Sequence, residues 1–246
     1  MALALGVRVT LATSLSPAYD RSALSGLDLV EVAADQNPRY RNVYDAAGDR
    51  VQHLDGTGEA LDRLPWGDIE PADLLIVAPA FHEFAGIPPV PCSLVSIAFQ
   101  GLLRRRLADG RVRPVDDPVA ATAAFARPGA LAFLSDEDVG GAARFSAALS
   151  RLGLTVVLTR GHRGATLYRG GEGESFVAIP PAREVDPTGA GDCFATAFAI
   201  RYLEAGSFRE AMDFGLAAGS LSVEAAGLAA IPTRQSIEER LAGRAA

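Results

Sequence analysis

Short, almost continuously apolar runs separated by stretches of helical pattern restrict this chain to very few architectures. "ADLLIVAPA" (Ala72 to Ala80), "SLVSIAF" (Ser93 to Phe99), "ALAFLS" (Ala130 to Ser135) and "TVVLT" (Thr155 to Thr159) are runs of this kind. Runs this apolar fit strands buried on both faces of a parallel sheet, which needs crossover helices to cover it. A helix is expected from about 136 to 152, with Ser135 as its N-cap, and three more over about 190–204, 208–226 and 236–243. "VRVTLAT" (Val7 to Thr13) reads as a buried strand, "DLVEVAA" (Asp28 to Ala34) alternates as a half-exposed one, and "GATLYR" and "SFVAIPP" pair as neighbours. "RYRNVYDAAGDRVQHL" predicts a hairpin, Tyr40 to Tyr44 and Arg50 to Leu54, turning at Ala46 to Asp49. The expected fold class is α/β: a mainly parallel sheet with helices on its faces, as one domain over residues 1–246.

Composition narrows the chemistry. A 49% hydrophobic content supplies a full core without disulfides or metal. The net charge of −7 argues against generic nucleic-acid binding. No apolar stretch is long enough to span a membrane. The opening "MALALGVRVTLATS" carries Arg8 and alternates like a strand, so a reducing cytoplasm is the expected compartment. Cys92 and Cys193 lie far apart in unrelated contexts, and His53, His82 and His162 lack metal-ligand spacing. All 23 basic residues are arginine. Without lysine, Schiff-base chemistry, the Walker A loop and the protein-kinase lysine are excluded. Any phosphate must be met by backbone amides, helix dipoles, arginine or metal.

One stretch supplies such amides. In "DPTGAGDCFATAF", Pro187 and the glycines force a tight turn into a helix on which Phe194, Phe198 and Tyr202 recur every four residues. The amides of Gly189, Ala190, Gly191 and Asp192 then stand at a helix N-terminus, where free N–H groups and the dipole favour an anion. Asp192 beside them could take a proton from a substrate hydroxyl while the amides stabilise a transferring phosphoryl group. The plainer reading makes Asp192 a first-turn acid and the glycines a turn. The length of the pattern favours the functional one. "GTGEAL" at Gly56 lacks the third glycine of a dinucleotide fingerprint.

"VDPTGAGDCF" closely resembles the C-terminal signature of the ribokinase-like, PfkB family of carbohydrate kinases. "VVLTRGHRGATLYR", "LSDEDV" and "AAGSLSVEAAGLAAIPT" resemble further segments of that family, and the hairpin is similar to its small sugar-contacting lid, over about 28–56. "IPPAREVDPTGAGDCF", "SDED" and "FQGLLR" are most similar to the inositol-kinase branch. The resemblance implies a three-layer α/β/α fold and transfer of the γ-phosphoryl group of ATP, with Mg2+, to a hydroxyl of a small sugar or cyclic polyol. It makes Asp192 the base and Gly189, Ala190 and Gly191 the anion hole. It places Thr159, Gly161 and Gly164 by the ATP phosphates and ribose, where Arg160 and Arg163 could offset charge. Ala217, Gly219 and Gly227 would line adenine; close packing explains these small residues equally well. Asp186 and Thr188 match positions that bind a monovalent cation such as K+ in some members, or form an Asx-type turn. Asn42, Tyr44 and Gln100 are the candidate acceptor contacts, and a homodimer through the lid is the candidate assembly.

The chain departs from the family pattern in three places. Ser135 and Asp138 stand where the family has Asn and Glu near magnesium, and Ser135 reads equally well as a helix cap. Ala98 stands where inositol-kinase relatives often carry an acid. The family's first strand, with its acceptor-binding aspartate, and the Gly-Gly segment have no counterpart in these 246 residues, so Val7 to Thr13 is expected to lack a neighbour. A relative that binds nucleotide or metabolite without turnover is the alternative to an enzyme.

Overall fold

The computed structural model describes residues 1–44 and 50–245. Its strands are β1 (Thr10–Leu15), β2 (Asp28–Ala33), β3 (Arg39–Tyr44), β4 (Arg50–Asp55), β5 (Ala72–Val77), β6 (Cys92–Ala98), β7 (Arg104–Arg106), β8 (Val112–Pro114), β9 (Leu131–Ser135), β10 (Thr155–Thr159), β11 (Ala165–Arg169) and β12 (Glu172–Phe176). The α-helices are α1 (Pro118–Thr122), α2 (Ala142–Arg151), α3 (Ala190–Ala205), α4 (Phe208–Ser222) and α5 (Arg234–Ala245).

Six strands form the central sheet in the order β12-β11-β10-β9-β6-β5. β5, β6, β9 and β10 run parallel, and β11 and β12 close the far edge antiparallel. The period of two explains why these strands are apolar throughout. Along β9, Leu131 and Phe133 enter one core with α3 and α4, whereas Ala132 and Leu134 enter a second core on the opposite face with α2. The stripe on α3 is packed as its spacing predicts. Phe194 and Phe198 meet Phe133 edge-on at 6.1 and 5.4 Å, and Tyr202 stacks on Phe208 at 4.3 Å.

Several boundaries differ from the sequence reading. The expected helix from 136 begins at Ala142, with Gly141 in the left-handed region at its N-cap. Ser135 caps no helix. Its hydroxyl accepts from the Glu137 amide at 3.3 Å, closing a turn that delays the helix. The strand expected at "SFVAIPP" is β12, three residues earlier, because the turn at Gly170 and Gly171, both at positive φ, pairs Arg169 with Glu172. The short β7–β8 hairpin has no counterpart in that reading.

The lid is also smaller than expected. Within 28–56 only β3 and β4 form the hairpin; its turn at Ala46 to Asp49 lies outside the described residues. β2 instead pairs parallel with β1, from Thr10 opposite Asp28 to Leu15 opposite Ala33. β8 joins the lid through a bridge from Arg111 to His53 and a bond from Leu54 N to Gly110 O at 2.9 Å. β1 thus has a neighbour, β2, on one side alone, and β5 has only β6. A cavity of about 1150 Å³ lies between β1, β5 and α3.

Candidate active site

The cavity runs from β1 and β5 to the first turn of α3, where Thr188, Gly189 and Asp192 form its wall together with Gly227. Gly189 takes φ +82 as the N-cap, a conformation that glycine alone adopts without strain. Of the amides that follow, Ala190 N–H is turned back onto Pro187 O at 3.2 Å. Among the described residues the amides of Gly191 and Asp192 have no such partner, as expected for the opening turn of a helix. The open amides of this turn are thus those of Gly191 and Asp192, with Gly189 making the bend, and not the three of Gly189, Ala190 and Gly191 expected from the sequence. A Cβ at Gly191 would meet no atom within 4 Å, so the space above this residue is open.

Asp192 is reached by solvent through the cavity, yet protein surrounds it on its other sides. That desolvation holds its carboxyl above the usual aspartate range, and the Arg104 guanidinium draws it part of the way back. The position suits a base: its carboxylate is more basic than that of a surface aspartate.

Asp138 is the second enclosed carboxylate, 7% exposed and raised by burial. One oxygen accepts from Ser135 N at 2.7 Å and the other from Gln100 Nε2 at 3.2 Å. Each oxygen keeps a free lone pair, so the pair Ser135–Asp138 fits contact with the water shell of Mg2+ better than direct ligation. Gln100, a candidate acceptor contact, is thereby tied to the donor side.

Asp186 forms the Asx turn. Its carboxylate accepts from Thr188 N at 2.9 Å, and the Thr188 hydroxyl first, then the Thr188 and Gly227 amides, lower its pKa. Thr159 ends β10 and its hydroxyl donates to Leu134 O at 3.3 Å. Gly161 has open space where a Cβ would stand, at φ +53. Gly164 does not: a Cβ there would lie 2.0 Å from Phe176 O, so the β10–β11–β12 packing accounts for it. Arg163 is committed to Asp136 in an ion pair.

Ala217 is fully buried, and Gly219 faces Phe194 Cβ at 3.5 Å and Ala190 O at 3.6 Å. Packing of α4 on α3 accounts for Ala217, whereas a Cβ at Gly219 would make only ordinary contacts and Gly227 borders the cavity. On the lid, Asn42 accepts from Gln52 Nε2 at 3.2 Å, across the hairpin. Tyr44 ends β3 next to the undescribed turn. Tyr40, two pleats earlier on the same face of β3, reaches the body of the protein: its hydroxyl donates to Ala80 O at 2.6 Å, and Arg104 stacks over its ring at 4.8 Å.

Arg104 and Tyr40 are the site residues that sequence reasoning missed. The signal was present in "FQGLLRRR", a basic cluster directly after the C-terminal end of a parallel strand, where α/β sheets bind their ligands.

This sheet, its helical layers and its β lid define the ribokinase fold. Residues 122–234, the segment carrying Asp192, Asp138 and Thr159, match the model of the pfkB family of carbohydrate kinases. Asn42, Tyr44 and Gln100 lie outside it. Ribokinase of Arabidopsis thaliana is 40% identical over 90 residues, 35% of this chain and 24% of that protein. Inositol 3-kinase of Zea mays is 42% identical over 73 residues, 30% of this chain and 19% of that protein. The matched stretches thus span no more than about a quarter of these curated relatives. Among solved structures, a pyrophosphate-dependent kinase of the ribokinase family, complexed with a pyrophosphate analogue and myo-inositol, superposes with a TM-score of 0.76 at 18% identity. That superposition covers 97% of this chain and 87% of the other. Arabidopsis thaliana ribokinase complexed with ribose and ATP gives a TM-score of 0.67 at 18% identity, over 97% and 83%.

Proposed function

We propose that this protein is a small-molecule kinase that transfers a phosphoryl group to a hydroxyl of a sugar or cyclic polyol. The observation that carries this reading is the first turn of α3. It sets a desolvated carboxylate, Asp192, directly behind two unpartnered amides on the wall of a cavity large enough for a sugar. In the reaction, Asp192 accepts the proton of the acceptor hydroxyl. The acceptor oxygen forms its bond to phosphorus as the bond from phosphorus to the bridging oxygen of the donor breaks. The amides of Gly191 and Asp192 meet the charge on the transferring group. Mg2+ bound with the donor would neutralise phosphate charge, its waters meeting Asp138 and Ser135.

ATP is the first donor to consider, by likeness to the ribokinases. A second donor reading is favoured by the full burial of Ala217, which removes one of three residues assigned to adenine. A site that grips phosphate without gripping adenine would accept pyrophosphate, the donor of a structural neighbour. For the acceptor, the matches to ribokinase and inositol 3-kinase support pentoses and myo-inositol equally. The test is a panel of pentoses, hexoses and inositols, each with ATP or pyrophosphate and Mg2+, following phosphorylated product. Product with one sugar or polyol supports the reading. Product only with nucleosides would contradict the acceptor class, and donor binding without any product would favour a binding protein.

A further inference from the structure

Arginine must supply any permanently charged side-chain cation in this protein. Arg163 is held by Asp136. Arg104 is different in its surroundings. It opens β7 just past the C-terminal end of β6, on the same turn as Gln100, which bonds Asp138. Its backbone carbonyl accepts from His82 Nε2 at 2.6 Å, and His82 holds a positive φ of 54. A non-glycine residue in that region is uncommon and stores strain, which clusters where geometry must be fixed. Its guanidinium lies flat over Tyr40, whose hydroxyl is anchored to Ala80 O. Clamped at both ends, Arg104 makes no ion pair with a carboxylate among the described residues. Its charge draws down the pKa of both Asp192 and Asp138 against the desolvation that raises them.

A held, half-buried cation on the turn that bonds Asp138, paired with no carboxylate among the described residues, is free for a further anion. We propose that Arg104 meets the transferring phosphoryl group, and that Tyr40 of the lid and His82 hold its guanidinium there. This rests on the kinase reading above. The group in flight carries charge on its peripheral oxygens while the acceptor oxygen bonds to phosphorus, its proton passes to Asp192, and the donor's bridging oxygen departs with the electron pair. Arg104 donates hydrogen bonds to those oxygens from the side opposite the Gly191 and Asp192 amides. Planar guanidinium donors match phosphoryl oxygens better than an ammonium group, so lysine would replace it poorly.

The experiment compares wild type with Arg104→Gln and Arg104→Lys in two arms. In steady-state assays with the donor and acceptor found by the panel, Arg104→Gln should lower kcat roughly 10²–10³-fold, with both KM values within about threefold of wild type. Arg104→Lys should recover only part of this. A selective rise in acceptor KM, or an unchanged kcat, would overturn the assignment. In the second arm, calorimetry measures ADP with and without aluminium fluoride, a mimic of the transferring group. Fluoride should tighten ADP at least about tenfold in wild type and not in Arg104→Gln, with ADP alone bound equally by both. Equal tightening in both proteins, or none in wild type, would also overturn it. A wild type that turns over nothing defeats the kinase reading, and the fluoride arm still decides on Arg104. Melting temperature separates loss of fold: if Arg104→Gln is unfolded, Arg104→Lys decides by the same criteria.

Discussion

Asp192 sits at the positive end of α3 but in a desolvated place, and the two effects oppose each other. Desolvation dominates, so its folded-state pKa is raised. For a group raised in this way, the favourable contribution to folding is complete below the unfolded value, about 3.9 for aspartate, and is lost as pH rises through the folded value. Keeping Asp192 ionised at neutral pH therefore costs stability. Asp192→Asn should melt higher than wild type at pH 7 to 8, and the difference should vanish near pH 3.5; an Asn variant less stable at neutral pH would contradict the assigned environment. Gly191 offers a cleaner separation of function from packing. Its φ is not positive and nothing crowds a Cβ, so Gly191→Ala should leave the melting temperature unchanged or raised, since alanine is the better helix former. If the amide faces phosphate, the added methyl should weaken donor binding about tenfold or more, measured by calorimetry. Equal binding would return Gly191 to a mere turn residue. The motif around these residues was legible because its chemistry is local: backbone amides, a missing side chain and one carboxylate within four positions. Arg104 was not legible, because its role depends on Tyr40 and His82, which are distant in sequence and meet it only in the folded chain.

The elements that position the site differ in how much of them the chain announces. α3 was readable from its glycine entry and its four-residue aromatic spacing, since both follow from helix geometry alone. The start of α2 was not, because the Ser135–Glu137 and Ser135–Asp138 bonds compete with helix formation, and a cap and a turn draw on the same residues. The β10–β11 connection shows the same ambiguity. Gly161 and Gly164 look alike in sequence, but only Gly164 lies against the backbone of β12. Gly164→Ala should therefore disrupt the hairpin, costing more than about 3 kcal/mol through clash and an unfavourable φ, whereas Gly161→Ala should cost only about 1 kcal/mol. Urea denaturation of the two variants tests the contrast; equal losses would mean that the turn and not the packing sets the requirement.

Across the whole molecule, β1, β5 and the first turn of α3 wall one cavity, and the central sheet also ends in an open strand. β5 exposes Ile76, 36% accessible, on an edge whose next neighbour would face β1. Unpaired apolar edges associate, and a charge on them is the usual remedy. Ile76→Glu should lower concentration-dependent light scattering without loss of the far-ultraviolet spectrum; unchanged scattering would place self-association elsewhere. The parallel sheet was foreseeable from apolar runs, but the separation of β1 and β2 from it was not, because strand order is a tertiary property that periodicity does not carry. The central claim remains the role of Asp192. It is tested most directly by rapid-quench single turnover of Asp192→Asn with saturating donor and acceptor, alongside calorimetry of the donor. Phosphoryl transfer should fall by roughly 10²–10⁴-fold while donor affinity stays within about threefold of wild type. Transfer at the wild-type rate would contradict the account and leave the carboxylate as the first-turn acid of a helix.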